Sequence, residues 1–554
     1  LYIEVTTAGS NLVSDGNYIV EDTQGVSALV LKTEAGSVLS YSAGAVGATC
    51  YFSSLSADNS QSYKITSISA NGVESTPTAS YTADNNLDVD GASNEIRWTL
   101  NAEAEKYRVY KEENGLYGYI GESESGEFID DNISPDLGRT PPIEDEDLSG
   151  SDYPRATGYF EQRRCFGGTP IKPRNLWMTK SGTESDMTYS LPIQDDDRIS
   201  VSLAAREAAT IRHIVPMNDL LLMTQQGEWR ETAVNSDAIT PETIAVRQQS
   251  EIGCSDVRPL VVNNAVVFAA NRGGHVRTMS YNWQAQGYAT GDLSLRASHL
   301  FDGLTIRDST YSKAPYPVLW FVSSSGKLLS LTYVPEEEVA GWAQHDVGGV
   351  VESVCSIPEG KSDSVYMVVR RTVNGVEGRY IERMVPHIGN SPTDSVNLDA
   401  SASDDRTEAS GRTLTLTGGN LWLTGETVTV TASSHLFRAA DVGDEVELLG
   451  TAGAKYRVRI SAYTSSTVVT GVLESGVPIA MQRTSVTTWA FARKAITGLS
   501  HLEGETVHIV ADGVVLPTQV VTSGVVTLPF AAVTTHVGHN FVSELQTLPL
   551  TIQQ

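Results

Sequence analysis

The chain is 554 residues long, several times the usual span of one domain, so several cores or one large repeat architecture are expected. A composition of 40% hydrophobic and 19% charged residues is that of an ordinary globular protein, and no apolar run approaches the roughly 20 residues that a membrane-spanning helix needs. The balance of 39 basic against 67 acidic residues, a formal charge of -28, argues against a protein that clamps nucleic acid by neutralising phosphates.

Cys50, Cys165, Cys254 and Cys355 stand far apart, with no CxxC pair. That spacing suggests neither a disulfide framework nor a zinc site and fits reduced thiols in a cytosol. The chain opens at Leu1 with neither an initiator Met nor a basic-then-apolar leader, so a missing or processed start is expected and no secretion signal is read.

Helical periodicity is scarce. Short runs rich in Val, Ile, Thr and Tyr, separated by Gly, Asn, Asp and Ser turns, recur throughout, so the expected fold class is all-β. Residues 1–58 form an N-terminal β segment. In 59–145, Asn71-Gly72 reads as a tight hairpin turn, 107–123 as a strand pair and Trp98 as a buried aromatic, which together suit a sandwich of the fibronectin type III kind. The Pro-rich, acidic stretch 140–154 marks a linker.

A diffuse repeat follows, in which an apolar strand runs into a Gly turn and a second strand returns. Its units are NLWMTKSG ending at Gly182, LLLMTQQGEWRET around Gly227, VVFAANRGGHVRTMSY around Gly274, VLWFVSSSGKLLSLTY around Gly326 and VYMVVRRTVNGVEGRYIERM around Gly375. These glycines recur about every 50 residues, the length that four short strands and their turns need, so 146–390 is expected to be a β-propeller. Trp177, Leu221, Val267, Trp320 and Tyr366 should then occupy equivalent central strands, and leading strands at Ile211, Val257 and Ile306 should be innermost. Five units are visible, and six blades are favoured, the last completed from outside the region. Residues 391–495 read as an inserted β module with a polar start. Residues 496–554 read as a C-terminal antiparallel sheet completing the core, with turns at Glu503-Gly504, Asp512-Gly513 and Ser523-Gly524.

Motifs that would carry chemistry fail on spacing. A phosphate loop at EGKS (359–362) would need Gly where Cys355 stands. Asn86, Asp88, Asp90 and Gly91 imitate the start of a calcium loop, but its twelfth position is Arg97 rather than Glu. No GxSxG elbow or catalytic triad is visible. His213, His275, His299, His345 and His387 are scattered without metal-ligand spacing and read as packing or surface residues. Adjacent Glu336, Glu337 and Glu338 would alternate faces on a strand and could not converge as a glycosidase pair. The expectation is therefore no enzyme, no cofactor and no metal. Trp283, Tyr288 and Trp342 could stack on sugars, although blade packing is the simpler account.

Three phrases carry a family resemblance: FIDDNISPDLGRTPP (128–142), YPRATGYFEQRRCFGGTP (153–170) and GLSHLEGETVHIVADG (498–513). They resemble the tail nozzle proteins of short-tailed bacteriophages, also called tail tubular protein B, and related phage stabilisation proteins. The resemblance implies a virion protein assembled in the host cytoplasm as a homohexameric ring. Its partners would be an adaptor or portal-proximal tail protein and tail fibres or spikes, and double-stranded DNA would pass through without specific binding. An acidic wall suits such a conduit, because a basic one would hold DNA through released counterions, while solubility alone also accounts for the acidic excess. The candidate channel loops are the compact acidic runs Glu144, Asp145, Glu146 and Asp147, and Asp195, Asp196 and Asp197. The competing expectation is a receptor- or glycan-binding tail protein without a conduit role.

Overall fold

The computed structural model describes residues 60–88, 91–144, 152–206, 209–337, 339–385, 395–408 and 410–545, with the backbone of four strands ahead of them. The chain is all-β, made of many small antiparallel sheets, and divides into two compact units, Leu1–Glu251 and Ile252–Gln554. No helix among the described residues is long and apolar enough to cross a membrane.

In the first unit, strands Tyr2–Glu4, Thr49–Ser54, Tyr18–Glu21 and Leu29–Leu31 lie side by side in that order. The next sheet runs Tyr81–Asp84, Ser60–Ser69, Ala104–Glu113, Leu116–Ser123. It shares a core of Tyr63, Ile96, Val109 and Ile120 with the two-stranded sheet of Asn94–Arg97 and Glu127–Asp130. The turn Asn114-Gly115 has positive φ at both residues, 54° and 83°, as the type I′ hairpin that follows strand twist requires. The buried aromatics here are Tyr63, Tyr107 and Tyr110 rather than Trp98. Alternation points Asn94 and Ile96 inward, but that strand ends at Arg97, and Trp98 beyond it is half-buried against Tyr107. The Tyr63 hydroxyl donates to Asp130 at 2.7 Å and accepts from the Asn94 amide at 2.8 Å. Asp130, fully buried, is neutralised by Lys111 at 2.9 Å.

Two four-stranded meanders complete this unit. The first is Ala156–Phe160, Arg163–Gly167, Asn175–Met178 and Ile199–Ser202, and the second is Ile211–Pro216, Leu220–Thr224, Glu228–Ala233 and Ile244–Ser250. Their facing sides bury Cys165, Leu176, Met178, Ile211, Leu220, Leu222 and Trp229 together. The approach is close: a Cβ on Gly167 would meet the Ile211 side chain at 2.8 Å. The expected linker instead contributes a short strand, Ile143–Glu144, paired with Thr188–Tyr189.

The second unit continues the pattern. A third meander is Leu260–Val262, Ala265–Ala269, Val276–Asn282 and Gly287–Asp292, and a fourth is Ile306–Ser312, Val318–Ser323, Leu328–Val334 and Val339–His345. A fifth has three strands, Val350–Glu359, Ser362–Val373 and Val376–Arg383. Leu221, Val267, Trp320 and Tyr366 all lie on the second strand of their sheets, but Trp177 lies on the third. Gly182 accordingly follows a strand rather than dividing the hairpin. The first repeat is one strand out of phase with the other four, because the excursion 179–198 mimics a hairpin return in sequence.

Strand Asp399–Asp405 pairs with Thr534–His539, and with Thr506–Ala511 and Val514–Val520 they form one four-stranded sheet. The intervening chain builds most of an eight-stranded sheet around its own core of Leu416, Val430, Val446, Val458, Ile460 and Trp489. The module is therefore an insertion, but its ends differ from the expected 391–495, since 399–405 belong to the closing sheet. Arg457 ties the two together, donating to Glu447 at 2.9 Å and to Asp512 at 3.0 Å.

Trp177 is fully buried in the third strand of the first meander. Trp177→Ala is expected to cost about 3–5 kcal/mol in urea unfolding of the full chain. An unchanged transition would place Trp177 outside a packed core.

Candidate functional site

The two acidic runs fare differently. Glu144 is exposed at the end of its short strand, and Asp145, Glu146 and Asp147 lie outside the described residues. Asp195 and Asp196 are exposed, but Asp197 is fully buried. Its carboxylate accepts the backbone N–H groups of Ser190 and Gln194, each at 2.8 Å, and Arg163 donates to the Asp195 and Asp197 carbonyls at 2.8 and 2.6 Å. Asp197 folds the turn and is not available to a channel. A run of three aspartates looks uniform in sequence, while the orphan N–H groups of a tight turn claim one of them.

The rejected motifs resolve into structure. Gly360, at φ 63°, turns strand Val350–Glu359 into Ser362–Val373. Glu359 accepts from Tyr366 at 2.5 Å and Arg383 at 2.6 Å, and those bonds hold its carboxyl down at about 2. Asp88 N–H donates to the Asn86 side chain at 3.0 Å in a local turn, and Asp90 lies outside the described residues. Pro335–Glu337 is a 3-10 turn rather than a strand. His345 packs against Trp320, and burial holds it neutral by lowering its pKa.

One constellation missed in the sequence is Ser294, His275, Asp292 and Asp302. The Ser294 hydroxyl lies 2.9 Å from His275 Nδ1, and His275 Nε2 lies 3.4 Å from Asp302. It resembles a triad, but Ser294 is fully buried and its hydroxyl donates to Asp292 at 2.7 Å, away from the imidazole. This constellation therefore presents no exposed nucleophile. Tyr288 and Trp342 pack as expected, whereas Trp283 is 80% exposed at a hairpin tip, correcting its reading as a packing residue.

The strongest candidate lies between the first two meanders. A cleft of about 220 Å³ is lined by Phe160, Glu161, Asn218, Asp219, Glu231 and Asp237, among others. Alternation on Glu228–Ala233 turns Trp229 and Glu231 toward the shared core, so Glu231 has 0% exposure. Neither of its carboxyl oxygens has a hydrogen-bond partner. Burial, helped by the Glu161 charge, pushes its carboxyl up to about 8. Glu161 sits in the turn of the first hairpin, at φ 42°, and accepts the Ile239 N–H at 2.9 Å. Burial pushes the neighbouring Cys165 thiol up to about 12. At neutral pH the cleft thus holds a protonated carboxyl at its floor, with Glu161 and Asp237 at its mouth, and a carboxyl so perturbed in a cleft is a candidate functional group.

No protein-family profile matches the chain, and no curated protein matches it. Among solved structures, a luciferin-regenerating enzyme is similar over 62% of this chain and 98% of its own, at 8% identity and a TM-score of 0.24. A likeness that weak carries no argument about fold or activity.

The Glu231 carboxyl keeps its proton to about pH 8 when folded and loses it near 4.5 when unfolded. The unfolded state therefore binds fewer protons between those values, and stability falls as pH rises across them. Between pH 5 and 8 the loss is on the order of 3 kcal/mol. Glu231→Gln should flatten that slope and make the chain more stable than the parent at pH 8. Urea unfolding across pH checks this, and equal slopes in both proteins would contradict it.

Proposed function

We propose that the chain is a non-enzymatic structural subunit of a bacteriophage tail, a nozzle protein that forms a homohexameric ring around the path of ejected DNA. The order of its modules carries this reading. A two-sheet module ends in phrase 128–142, phrase 153–170 opens a series of five meanders, and a closing sheet built with phrase 498–513 follows an insertion. In this reading the five meanders are propeller blades and the two sheets of 60–130 are a fibronectin-like sandwich. Propellers offer rigid faces and many edge loops, suited to contacts with an adaptor or portal-proximal protein above and with fibres or spikes outside. The protein is carried in the virion after assembly in the host cytoplasm.

With 67 acidic against 39 basic residues, the wall of such a ring can repel phosphates and let DNA slide. Of the acidic runs, Glu144, Asp195 and Asp196 remain the candidates to face the axis. A second reading, a glycan-binding tail protein without a conduit, rests on Trp283, whose indole is exposed, as is Tyr281.

Native mass spectrometry of the full chain is expected to give six copies. A trimer would favour a spike, and a persistent monomer would sink the ring. Glycan binding that is lost in Trp283→Ala would move the assignment to the second reading.

A further inference from the structure

The cleft between the first two meanders is left unexplained by a conduit role. Its lining carries four carboxyl groups, Glu161, Asp219, Glu231 and Asp237, and no cationic side chain. Glu161 and Asp237 stand at its mouth with Ser236, Thr232 and the Asn218 carboxamide, and Glu231 forms its floor with both oxygens unpartnered. Two arginines on the strands that frame it, Arg163 and Arg230, are committed elsewhere. Arg230 donates to Asp219 at 3.0 Å, and Arg163 is spent on the carbonyls of Thr179, Asp195 and Asp197. A buried carboxyl whose oxygens have no partner is costly, so a group that supplies donors there is favoured.

We infer that this cleft is a binding site for a donor-only organic cation, a guanidinium or a primary ammonium group. Two observations choose that class. Among the described residues no three His, Cys, Asp or Glu side chains converge as a metal ion would require. The cleft, at about 220 Å³, is also several times the roughly 30 Å³ that one water occupies, so it admits a guanidinium or ammonium with part of its aliphatic stem. A guanidinium matches two carboxylate oxygens with two parallel N–H donors, which is what the Glu231 carboxyl lacks. The cation can be a free small molecule or an Arg or Lys side chain of a second copy of this chain.

Binding is coupled to a proton. The groups facing Glu231 are Glu161 from the first hairpin turn and Cys165 from the strand beside it, with Asp237 from the loop after its own strand and Asp219 already paired with Arg230. None of them offers a free positive charge. An entering cation therefore displaces the Glu231 proton to solvent, leaving a carboxylate paired with the cation. Affinity should rise with pH until Glu231 is ionised without help, near 8, and then level off.

Methylguanidinium and n-butylammonium, titrated calorimetrically into the full chain at pH 7 in buffers of different ionisation enthalpy, test this. Saturable binding with about one proton released per cation is expected, weakened at least tenfold (about 1.4 kcal/mol) in Glu231→Gln. Should that variant misfold by circular dichroism, Asp237→Asn at the exposed mouth is expected to weaken binding severalfold. If self-association of the chain is competed by methylguanidinium and lost in Glu231→Gln, the natural cation belongs to a second copy; if not, a free amine or guanidine is the source. The inference is overturned by the absence of saturable binding up to about 50 mM, by equal binding in the parent and Glu231→Gln, or by Ca²⁺ occupying the same cleft more tightly than either probe. These outcomes are independent of the number of copies, so they do not rest on the nozzle reading.

Discussion

Strand Val318–Ser323 shows the constraint on which the repeats depend. Its residues alternate between two cores: Leu319 and Phe321 pack with Val267, Ala269 and Val276 of the third meander, while Trp320 and Val322 pack with Val351, Val354 and Met367 of the fifth. A strand buried on both faces cannot be satisfied by one neighbouring sheet. This fourth meander therefore needs a neighbour on either side, and its folding is coupled to the presence of both. Strands Leu220–Thr224 and Ala265–Ala269 are likewise buried at every position, with no solvent face.

Polar groups do different work at the joints between modules. The inserted module is tied to the closing sheet by Arg457, whose guanidinium reaches Glu447 on its own sheet and Asp512 across the joint. Asp512 in turn accepts the backbone N–H groups of Val533 and Thr534 at 3.0 and 2.9 Å. The attachment thus combines directional bonds with the pairing of Trp489–Ile496 to Val526–Ala532 and a small apolar cluster of Ala490, Ala492, Ala531 and Val533, so the insertion can keep its own core while its register on the closing sheet stays fixed. Lys111 and Asp130 serve the two-sheet module in a similar way, since a lone buried carboxylate there would be far more costly than the pair.

Much of the fold was legible in the sequence because turn chemistry is local. Asn114-Gly115 and the glycines at 227, 274, 326 and 375 mark hairpins for reasons that do not depend on the rest of the chain. Phase was less legible. In a strand buried on both faces the period of two disappears, so a continuous apolar run such as NLWM reads the same on the second or third strand of its sheet, and Trp177 was placed one strand early. The insertion was legible as a change in composition. Its ends were not, because pairing of 399–405 with 534–539 joins segments far apart in sequence. Trp98 departs from expectation for a related reason: alternation predicts inward direction but not where a strand stops.

The candidate site was invisible as a motif, yet its signal was present. In EWRETA, alternation places residues 229, 231 and 233 on one face, and Trp229 identifies that face as the inner one. Glu231 is then a carboxyl on a core face, a conflict between local residue choice and global fold. Such conflicts carry a stability cost and collect at functional sites, where a compensating interaction arises outside the free chain. Asp197, also fully buried, shows the contrast. Its oxygens accept two backbone N–H groups and lie near Lys180, so its burial is answered within its own turn. Glu231 has no such answer, and that difference, rather than the number of acidic residues nearby, separates a carboxyl that holds a fold together from one that awaits a partner.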